Sequence, residues 1–211
     1  MKRARQKLKT HRSLLAAAIR VLGSAGNFSA ISLREVTKIA GIVPAAFYRH
    51  FNNMDELGVE LVDYSFKPLR RMLKEIRQKP YGASRLLVET VDAYLTYVKL
   101  HRKFFIFLSR ERSGGLPPVR SAIRHELSEI AKELSEDLLK IPRFRNLSEE
   151  DVLTIAALVI DTMISSTDLA LDLPPGQSAE ETTLHLETQR KLRLIFLGAQ
   201  SWAKLKKPTL E

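Results

Sequence analysis

The sequence predicts an all-α protein of about nine helices, and three observations support this fold class. Apolar residues make up 45% of the 211 residues, enough for a chain of this size to bury its own core. They recur three and four positions apart along most of the chain, which is the period of a helix with one buried face. Turn-forming segments such as 113–118 and 173–177 separate these stretches, and no stretch alternates as a strand does.

The first two predicted helices are short. Apolar residues recur at helical spacing from Leu14, and the pattern stops near Gly26. Ser32 with Glu35 three positions later is the pattern of a capping box, which begins a second helix. Because a helix N-terminus attracts anions, Ser32 also marks a predicted phosphate site. Gly41 suits the left-handed residue that ends such a helix.

A third short helix is predicted from Pro44, because proline is favoured in the first turn of a helix. Phe47 and Phe51 lie four positions apart and form its buried face. At about 100° per residue, Ala45 and Arg49 then point away from the core. Two short helices joined by a three-residue turn form a helix-turn-helix, whose second helix enters the DNA major groove.

Longer amphipathic helices are predicted over the rest of the chain. The first runs from Met54 to Gln78, and Pro68 inside it should kink or loosen one turn. Ser148 and the three acids after it predict another N-terminus, since negative charge is favoured there. The remaining helices are predicted over 84–101, 104–110, 119–139, 148–171 and 180–206.

The formal charge of +10 is concentrated at one end of the sequence. Residues 1–53 contain ten Lys or Arg and one acid, whereas residues 54–211 contain 24 bases and 23 acids. This asymmetry indicates a polyanion-binding head on a body with another task. We therefore divide the chain into a helix-turn-helix DNA-binding domain, 1–53, and a ligand-binding and dimerisation domain, 54–211.

The sequence lacks the patterns of an enzyme, a metal site or a membrane protein. Without Cys it has no thiolate nucleophile and no cysteine-ligated metal. Its five His are isolated, and no G-x-S-x-G, P-loop or G-x-G-x-x-G motif occurs. No apolar run approaches the ~20 residues that a bilayer requires. We expect no catalytic residue, no metal, no cofactor and no membrane partner.

The residues expected at DNA lie on the helix-turn-helix and on the basic segment before it. Arg49 can donate two hydrogen bonds to guanine, and Ala45 and Ala46 can meet a thymine methyl. Tyr48 and His50 can donate to phosphate. The full set is Lys7, Lys9, Arg12, Ser32, Arg34, Pro44, Ala45, Ala46, Tyr48, Arg49 and His50. A packed helical corner without a DNA role is the alternative, and the charge of the same segment argues against it.

The run from Leu33 through Ile39–Ile42 and Phe47–Phe51 to Leu57 resembles the DNA-binding domain of TetR-family transcriptional repressors. The resemblance is dense over about residues 10–60 and architectural beyond them. It implies an all-α homodimer whose three-helix head binds double-stranded operator DNA. It also implies a helical body that binds an effector.

Two departures from the family pattern resemble one subgroup. Pro44–Ala46 replace the usual Ser or Thr and Gly, and Met54 replaces a usual Lys, so phosphate donors are lost. Segments 41–57 and 108–114 are similar to the repressors of unsaturated fatty acid synthesis, the FabR and DesT type. That resemblance implies a sensor of long-chain acyl-CoA or acyl-carrier-protein thioesters.

An acyl-CoA effector needs an apolar tunnel between bundle helices and cations for its phosphates. Residues 102–124 contain six bases and Glu111 as their single acid. The candidate ligand contacts are Phe66, Met72, Tyr94, Tyr97, Phe104, Phe105, Phe107, Leu108, Arg110, Arg112, Ile160, Met163 and Ile164. An ordinary core is the alternative for most of the apolar residues, and a solvated face for the charged ones.

The last helix carries a predicted seam for a second copy of the chain. Leu192, Ile195, Gly198, Ala199 and Trp202 recur there at helical steps. Packing within the chain's own bundle is the alternative.

The sequence therefore predicts a cytoplasmic repressor of unsaturated fatty acid synthesis or desaturation genes that senses long-chain acyl-CoA. One alternative is a TetR-type regulator of an efflux pump that senses lipophilic drugs. Acids facing the ligand site would favour a cationic drug, and Arg at its mouth an acyl-CoA. An alternative of another class is a helical lipid-binding carrier or enzyme whose basic head binds membrane.

Overall fold

The computed structural model describes residues 2–22, 27–174 and 176–205, and these ranges are helical without a strand, which confirms the predicted fold class. Three helices come first: α1 (Lys2–Leu22), α2 (Leu33–Ala40) and the single turn α3 (Pro44–Phe47). Helix α1 has 21 residues and begins at Lys2, well before the apolar pattern that starts at Leu14. Six further helices follow: α4 (Met54–Arg77), α5 (Ala83–Leu100), α6 (Arg102–Gly114), α7 (Pro117–Leu139), α8 (Glu149–Asp172) and α9 (Ser178–Leu205). Two 3₁₀ turns, Phe28–Ala30 and Pro142–Phe144, were not predicted.

Hydrogen bonds confirm the predicted helix ends. The Ser32 hydroxyl accepts from the Glu35 N–H at 3.2 Å, and the Glu35 carboxylate accepts from the Ser32 N–H at 2.9 Å. A capping box of the same kind begins α8 at Ser148. Gly41 ends α2 with φ of 70°, in the left-handed region that strains any residue with a Cβ.

Some predicted boundaries differ from the structure. The α-helix of α3 covers one turn, and the chain continues in tighter turns, with the His50 N–H donating to the Phe47 carbonyl at 2.8 Å. Helix α6 extends to Gly114, so the predicted loop begins only at Gly115. Pro68 lies inside α4, which continues through it. The predicted stop at Gly26 and the predicted end at Lys206 lie outside the described residues.

The chain divides into two compact units. The basic unit comprises residues 1–69 and 101–126, and the neutral unit comprises residues 70–100 and 127–211. The basic unit contains 17 Lys or Arg and 7 acids, so it holds the whole +10 charge, whereas the neutral unit contains 17 of each. The boundary predicted between residues 53 and 54 falls inside the basic unit and stays a prediction about function.

The two units have different interiors. In the basic unit, α1 packs on α2 and α6, and four Phe rings of the ligand set fill the core. In the neutral unit, α5, α8 and α9 pack on one another around buried hydroxyls. The Tyr94 hydroxyl lies 2.6 Å from the Thr167 hydroxyl, and the Thr188 hydroxyl donates to Ser166 at 2.8 Å. These pairs satisfy polar groups that burial would otherwise leave without a partner.

Candidate nucleic-acid interface

Two buried rings hold the α3 turn in place. Phe47 and Phe51 are 0% and 1% exposed, and their ring centroids lie 5.5 Å apart. Their burial leaves Ala45 and Arg49 exposed and Ala46 half-buried, as the helical wheel predicts. Tyr48 is exposed as well. This turn therefore presents a guanidinium and small methyl-bearing residues outward, the side chains that base edges accept.

His50 lies on the inner edge of the same turn. Its Nδ1 atom is buried and has no hydrogen-bond partner among the described residues. Burial lowers the pKa of His50, and the positive charges of His11, Lys7 and Arg49 lower it further. The neutral form is therefore favoured near pH 7, so the predicted contact of His50 with phosphate would be a hydrogen bond from its remaining N–H, without a positive charge.

His11 connects α1 to this turn. Its ring stacks on the Phe51 ring with centroids 4.7 Å apart, and its Nε2 atom contacts the Glu60 carboxylate. The contacts of His11 bring α1, the α3 turn and α4 together within the basic unit. The cations of α1 are thus carried on a helix that is packed against the candidate recognition turn.

The predicted anion site at Ser32 needs a correction. The Ser32 hydroxyl donates to the Glu35 carboxylate at 2.8 Å, and Ser32 backbone and side-chain hydrogen bonds lower the pKa of Glu35. The chain's own negative charge therefore occupies the N-terminus of α2, where a phosphate would be repelled. Arg34, two positions after Ser32 on α2, is exposed, so its guanidinium is accessible to a phosphate.

The remaining predicted DNA residues are accessible. Lys7, Lys9, Arg12, Arg34 and Pro44 are exposed in the basic unit. Sequence reasoning missed two kinds of accessible residue. Arg3 and Arg5 lie exposed on α1, and the charge count already included them. Val43, at the N-cap of α3, is exposed. Its position directly before the predicted recognition helix is the sequence feature that could have identified it.

Two family models match the chain. The model described as bacterial regulatory proteins, tetR family, matches residues 14–61, and the tetracyclin repressor-like C-terminal domain matches residues 84–191. The chain belongs to the TetR family. It is a transcriptional regulator and not an enzyme. TetR-family regulators bind operator DNA and act as dimers, so operator DNA and a second copy are partners of this chain.

Solved structures of other regulators share the TetR fold. A transcriptional regulator from Rhodococcus sp. Rha1 is 23% identical, with 89% of this chain and 96% of that chain covered and a TM-score of 0.72. FadR from Bacillus subtilis, solved in complex with stearoyl-CoA, is 14% identical, with coverages of 87% and 96% and a TM-score of 0.68. The fatty acid degradation regulator FadR from Bacillus halodurans is 14% identical, with coverages of 88% and 94% and a TM-score of 0.69. At these identities the likeness concerns the fold.

In this TetR-family chain, one part of the predicted ligand set lies in the basic unit. Phe66, Phe104, Phe105 and Phe107 are almost fully buried, and ring centroids of Phe104 lie 5.1 to 6.4 Å from the other three. These rings fill the core of that unit, which fits the alternative that they are ordinary core residues. Leu108 and Arg112 are half-buried, and Arg110 is exposed.

The other part of the set lies in the neutral unit. Tyr94 and Met163 are buried, and Ile160 and Ile164 are half-buried. Met72 and Tyr97 line a groove of about 380 Å³ between α4 and α5. Burial raises the pKa of Tyr97, so its hydroxyl stays protonated in the groove. The other lining residues are Glu89, Asp92, Ala93, Thr96 and Leu100, so the groove carries two acids that sequence reasoning missed.

The predicted dimer seam on α9 also needs a correction. Leu192 and Ala199 are buried in the chain's own core, and Ile195 packs partly against it. Gly198 and Trp202 are exposed. The exposed apolar residues that sequence reasoning missed are Leu186, Leu194, Leu197 and Leu205 on α9, and Leu153, Leu158 and Leu169 on α8. A helix that is apolar on more than one side was the signal, and the sequence could not say which side the chain itself covers.

Proposed function

We propose that this chain is a dimeric repressor of unsaturated fatty acid synthesis or desaturation genes that senses long-chain acyl-CoA. One observation carries the DNA-binding part of this proposal: the buried pair Phe47 and Phe51 leaves Ala45 and Arg49 outward on a turn surrounded by cations. The protein works in the cytoplasm, where it can reach operator DNA.

At the operator, Arg49 donates to O6 and N7 of a guanine, and Ala45 and Val43 contact neighbouring base methyls. Lys7, Lys9 and Arg12 on α1 neutralise backbone phosphates, with Arg34 on α2. Ser32 positions α2 by capping it. Two copies place their α3 turns about 34–36 Å apart, one turn of DNA, which calls for a palindrome.

The dimer forms through the outer faces of α8 and α9. Leu153 and Leu158 on α8 and Leu194 and Leu197 on α9 are 42 to 61% exposed, and exposed leucines on two neighbouring helices are typical of a protein–protein interface. The Trp202 indole donates to Asp151 at 3.1 Å, which joins the two helices on this side. By length and composition alone, α8 is apolar enough to cross a membrane, with a mean hydropathy of 1.6 over 18 residues. Buried core helices of soluble proteins have the same property. A second copy packed as a four-helix interface covers this apolar surface.

Two observations support acyl-CoA as the effector. Arg110 and Arg112 belong to a segment of the basic unit, residues 101–126, with six bases and two acids, of which Glu111 is fully buried. The similar fold of Bacillus subtilis FadR was solved with stearoyl-CoA. In the proposal the acyl chain lies in the apolar interior and the phosphates meet Arg110 and Arg112. Each buried CH₂ contributes about 0.8 kcal/mol, so long chains bind far better than short ones.

Calorimetry with palmitoyl-CoA and oleoyl-CoA, with and without operator DNA, tests the effector. We expect binding of at least one ligand, weaker for the double variant Arg110→Ala/Arg112→Ala and unchanged for the surface control Lys74→Ala. An effector that acts on repression must bind the free and the DNA-bound protein with different affinities. Absence of binding by both ligands would end the acyl-CoA proposal and leave the DNA-binding proposal intact.

A second candidate function, control of an efflux pump by a lipophilic cation, rests on the groove in the neutral unit. Glu89 and Asp92 lie beside the apolar residues Met72 and Leu100, so the groove suits a ligand with one positive charge and an apolar body. Asp92 is bound by His185 at 2.8 Å and by Gln189 at 3.2 Å. Glu89 forms an ion pair with the exposed Arg85 at 3.5 Å, and a cationic ligand would compete with that arginine for the carboxylate.

A cationic dye such as ethidium, titrated against wild type and Glu89→Gln, separates the two candidates. If Glu89→Gln weakens dye binding, the result favours control by a lipophilic cation. If the protein binds acyl-CoA and Glu89→Gln leaves that binding unchanged, the result favours the acyl-CoA proposal.

A further inference from the structure

One ionisable side chain of the basic unit is completely buried and has no place in the DNA or effector contacts above. Glu111, near the end of α6, is 0% exposed. Its Oε1 atom accepts from the backbone N–H of Phe28 at 2.8 Å, across 83 residues of sequence. Its Oε2 atom accepts from the N–H of Leu116 at 3.1 Å, just before α7. One carboxylate therefore joins the turn before α2 to the connection between α6 and α7.

The surrounding packing is built to fit these bonds. A Cβ on Gly115 would lie 1.9 Å from Oε2 of Glu111, so glycine leaves the room that the carboxylate needs. A Cβ on Gly58 of α4 would lie 2.7 Å from both the Phe28 ring and Val119. The Phe28 ring also meets the Phe107 ring of α6 at 5.9 Å, edge to face. The backbone of Phe28 is thus held by α6, and its ring packs against α4 and α6.

Phe28 leads directly into the helix-turn-helix. Its carbonyl accepts from the Ile31 N–H at 3.1 Å, and Ser32, the next residue, is the N-cap of α2. Helix α2 packs in turn on α1 and α3. A shift of Phe28 would therefore move the start of α2 and, through it, the turn that carries Arg49.

We propose that Glu111 is a positioning residue for operator recognition: it holds Phe28, and hence α2 and α3, in the arrangement that reads base pairs. A buried carboxylate is costly unless its oxygens are hydrogen-bonded. Movement of Phe28 away from Glu111 would leave Oε1 buried without this donor, so the arrangement with both hydrogen bonds is favoured. Glu111 touches no DNA in this proposal and acts through Phe28.

The first test compares operator DNA, selected by the wild-type protein from a random duplex library, with a scrambled duplex at the same salt. Gln has one carbonyl oxygen, so Glu111→Gln can keep only one of the two N–H bonds. We expect it to weaken operator binding about 10-fold while scrambled DNA changes less than about 2-fold, because non-specific binding depends on phosphate charge. A loss of stability alone would not change this ratio in folded protein.

Gly115→Ala would place a Cβ against the same carboxylate and 2.6 Å from the Glu111 Cα, so it disturbs both the carboxylate and the end of α6 and should shift the ratio in the same direction. Glu136→Gln removes an equal charge from an exposed position on α7 and should leave the ratio at the wild-type value. Wild-type discrimination in folded Glu111→Gln and Gly115→Ala proteins would overturn the proposal.

A second test needs no variant and decides the matter if the variants do not fold. If the Phe28–Glu111 bond favours operator binding, operator must favour the bond equally, because coupling between two equilibria is reciprocal. Hydrogen exchange at the Phe28 amide of the wild-type protein should therefore slow about 3-fold or more with operator and not with scrambled DNA. Equal exchange with both duplexes would refute the positioning role.

Discussion

The basic unit and the neutral unit carry similar numbers of cations but use them differently. In the neutral unit the cations are balanced by acids, and several are held in ion pairs: Arg77 donates to Asp137 at 2.7 Å, Arg70 pairs with Glu133, and Lys99 donates to Glu181 at 2.8 Å. In the basic unit ten positive charges have no acid to balance them. The first pattern stabilises helix pairs, and the second leaves a field that attracts a polyanion.

The exposed apolar residues are distributed differently. The neutral unit exposes leucines along α8 and α9, whereas the basic unit buries its phenylalanines and exposes fewer large apolar side chains, among them Val43 and Tyr48. In the proposed function, the basic unit therefore meets DNA and the neutral unit meets a second copy of the chain. In addition, α6 and the first part of α7, which the sequence placed with the body, are packed with the helix-turn-helix. Four predictions test this contrast.

The largest effect is expected from charges on the outer face of the neutral unit. The double variant Leu194→Glu/Leu197→Glu would bury two unpaired carboxylates in the dimer, at a cost of several kcal/mol per ion. We expect dimer dissociation to become at least about 100-fold easier, since 1.4 kcal/mol is a factor of ten. Sedimentation equilibrium measures this. Leu100→Glu, at a more exposed leucine on α5, is the control, and an intact dimer in the double variant would move the interface elsewhere.

The next effect is expected from the base-reading guanidinium of the basic unit. Arg49→Ala should cost about 1–3 kcal/mol of operator binding and relax specificity at one base position. Binding to a panel of single-base operator variants measures both. Lys74→Ala removes a cation from the neutral unit and should change neither. Unaltered preference across the panel in Arg49→Ala would place the groove contact on another residue.

A smaller, sequence-independent effect is expected from α1. Lys7→Ala and Lys9→Ala should weaken operator and scrambled DNA alike and reduce the slope of log K against log salt by about 0.9 for each lost phosphate contact. Fluorescence anisotropy at several salt concentrations gives this slope. Lys132→Ala, in the neutral unit, should keep the wild-type slope. A sequence-dependent loss at Lys7 or Lys9 would instead indicate base contacts from α1.

The smallest effect is a pH dependence confined to the basic unit. The pKa of His50 is lowered in the folded chain, so the unfolded chain binds the proton more readily as pH falls through the usual histidine range. Stability should therefore fall from pH 7.5 to 5.5, by less than about 1 kcal/mol because the side chain is partly solvated. Urea unfolding of wild type and His50→Gln measures this. The loss should be smaller in the variant, and an equal loss would assign the titration to another group.

The sequence predicted best where the signal is local. The capping box at Ser32, the left-handed Gly41 and the burial of Phe47 and Phe51 each depend on residues within four positions of one another. The outward direction of Ala45 and Arg49 follows from the same helical period. Hydrogen bonds within a turn and side-chain spacing along one helix need no knowledge of the rest of the chain.

The sequence predicted less well where the partner is distant. It marked apolar and charged positions on α9 but assigned Leu192 and Ala199 to the wrong face, because both faces of that helix carry apolar residues. It treated Ser32 as open to phosphate, whereas the Glu35 side chain occupies that place. It noted Glu111 merely as one acid among bases.

By itself, then, the sequence determined the helical class, the helix-turn-helix, its outward residues and the accumulation of positive charge near it. These features depend on hydrogen bonds between residues close in sequence and on the number of charged residues, and both can be obtained from the sequence without tertiary contacts. Tertiary structure alone decided which helices share a unit, which leucines stay uncovered and that Glu111 meets Phe28 across 83 residues. Those outcomes depend on packing between segments far apart in the chain. Packing decides which face of a helix is buried and which distant residues surround a buried carboxylate.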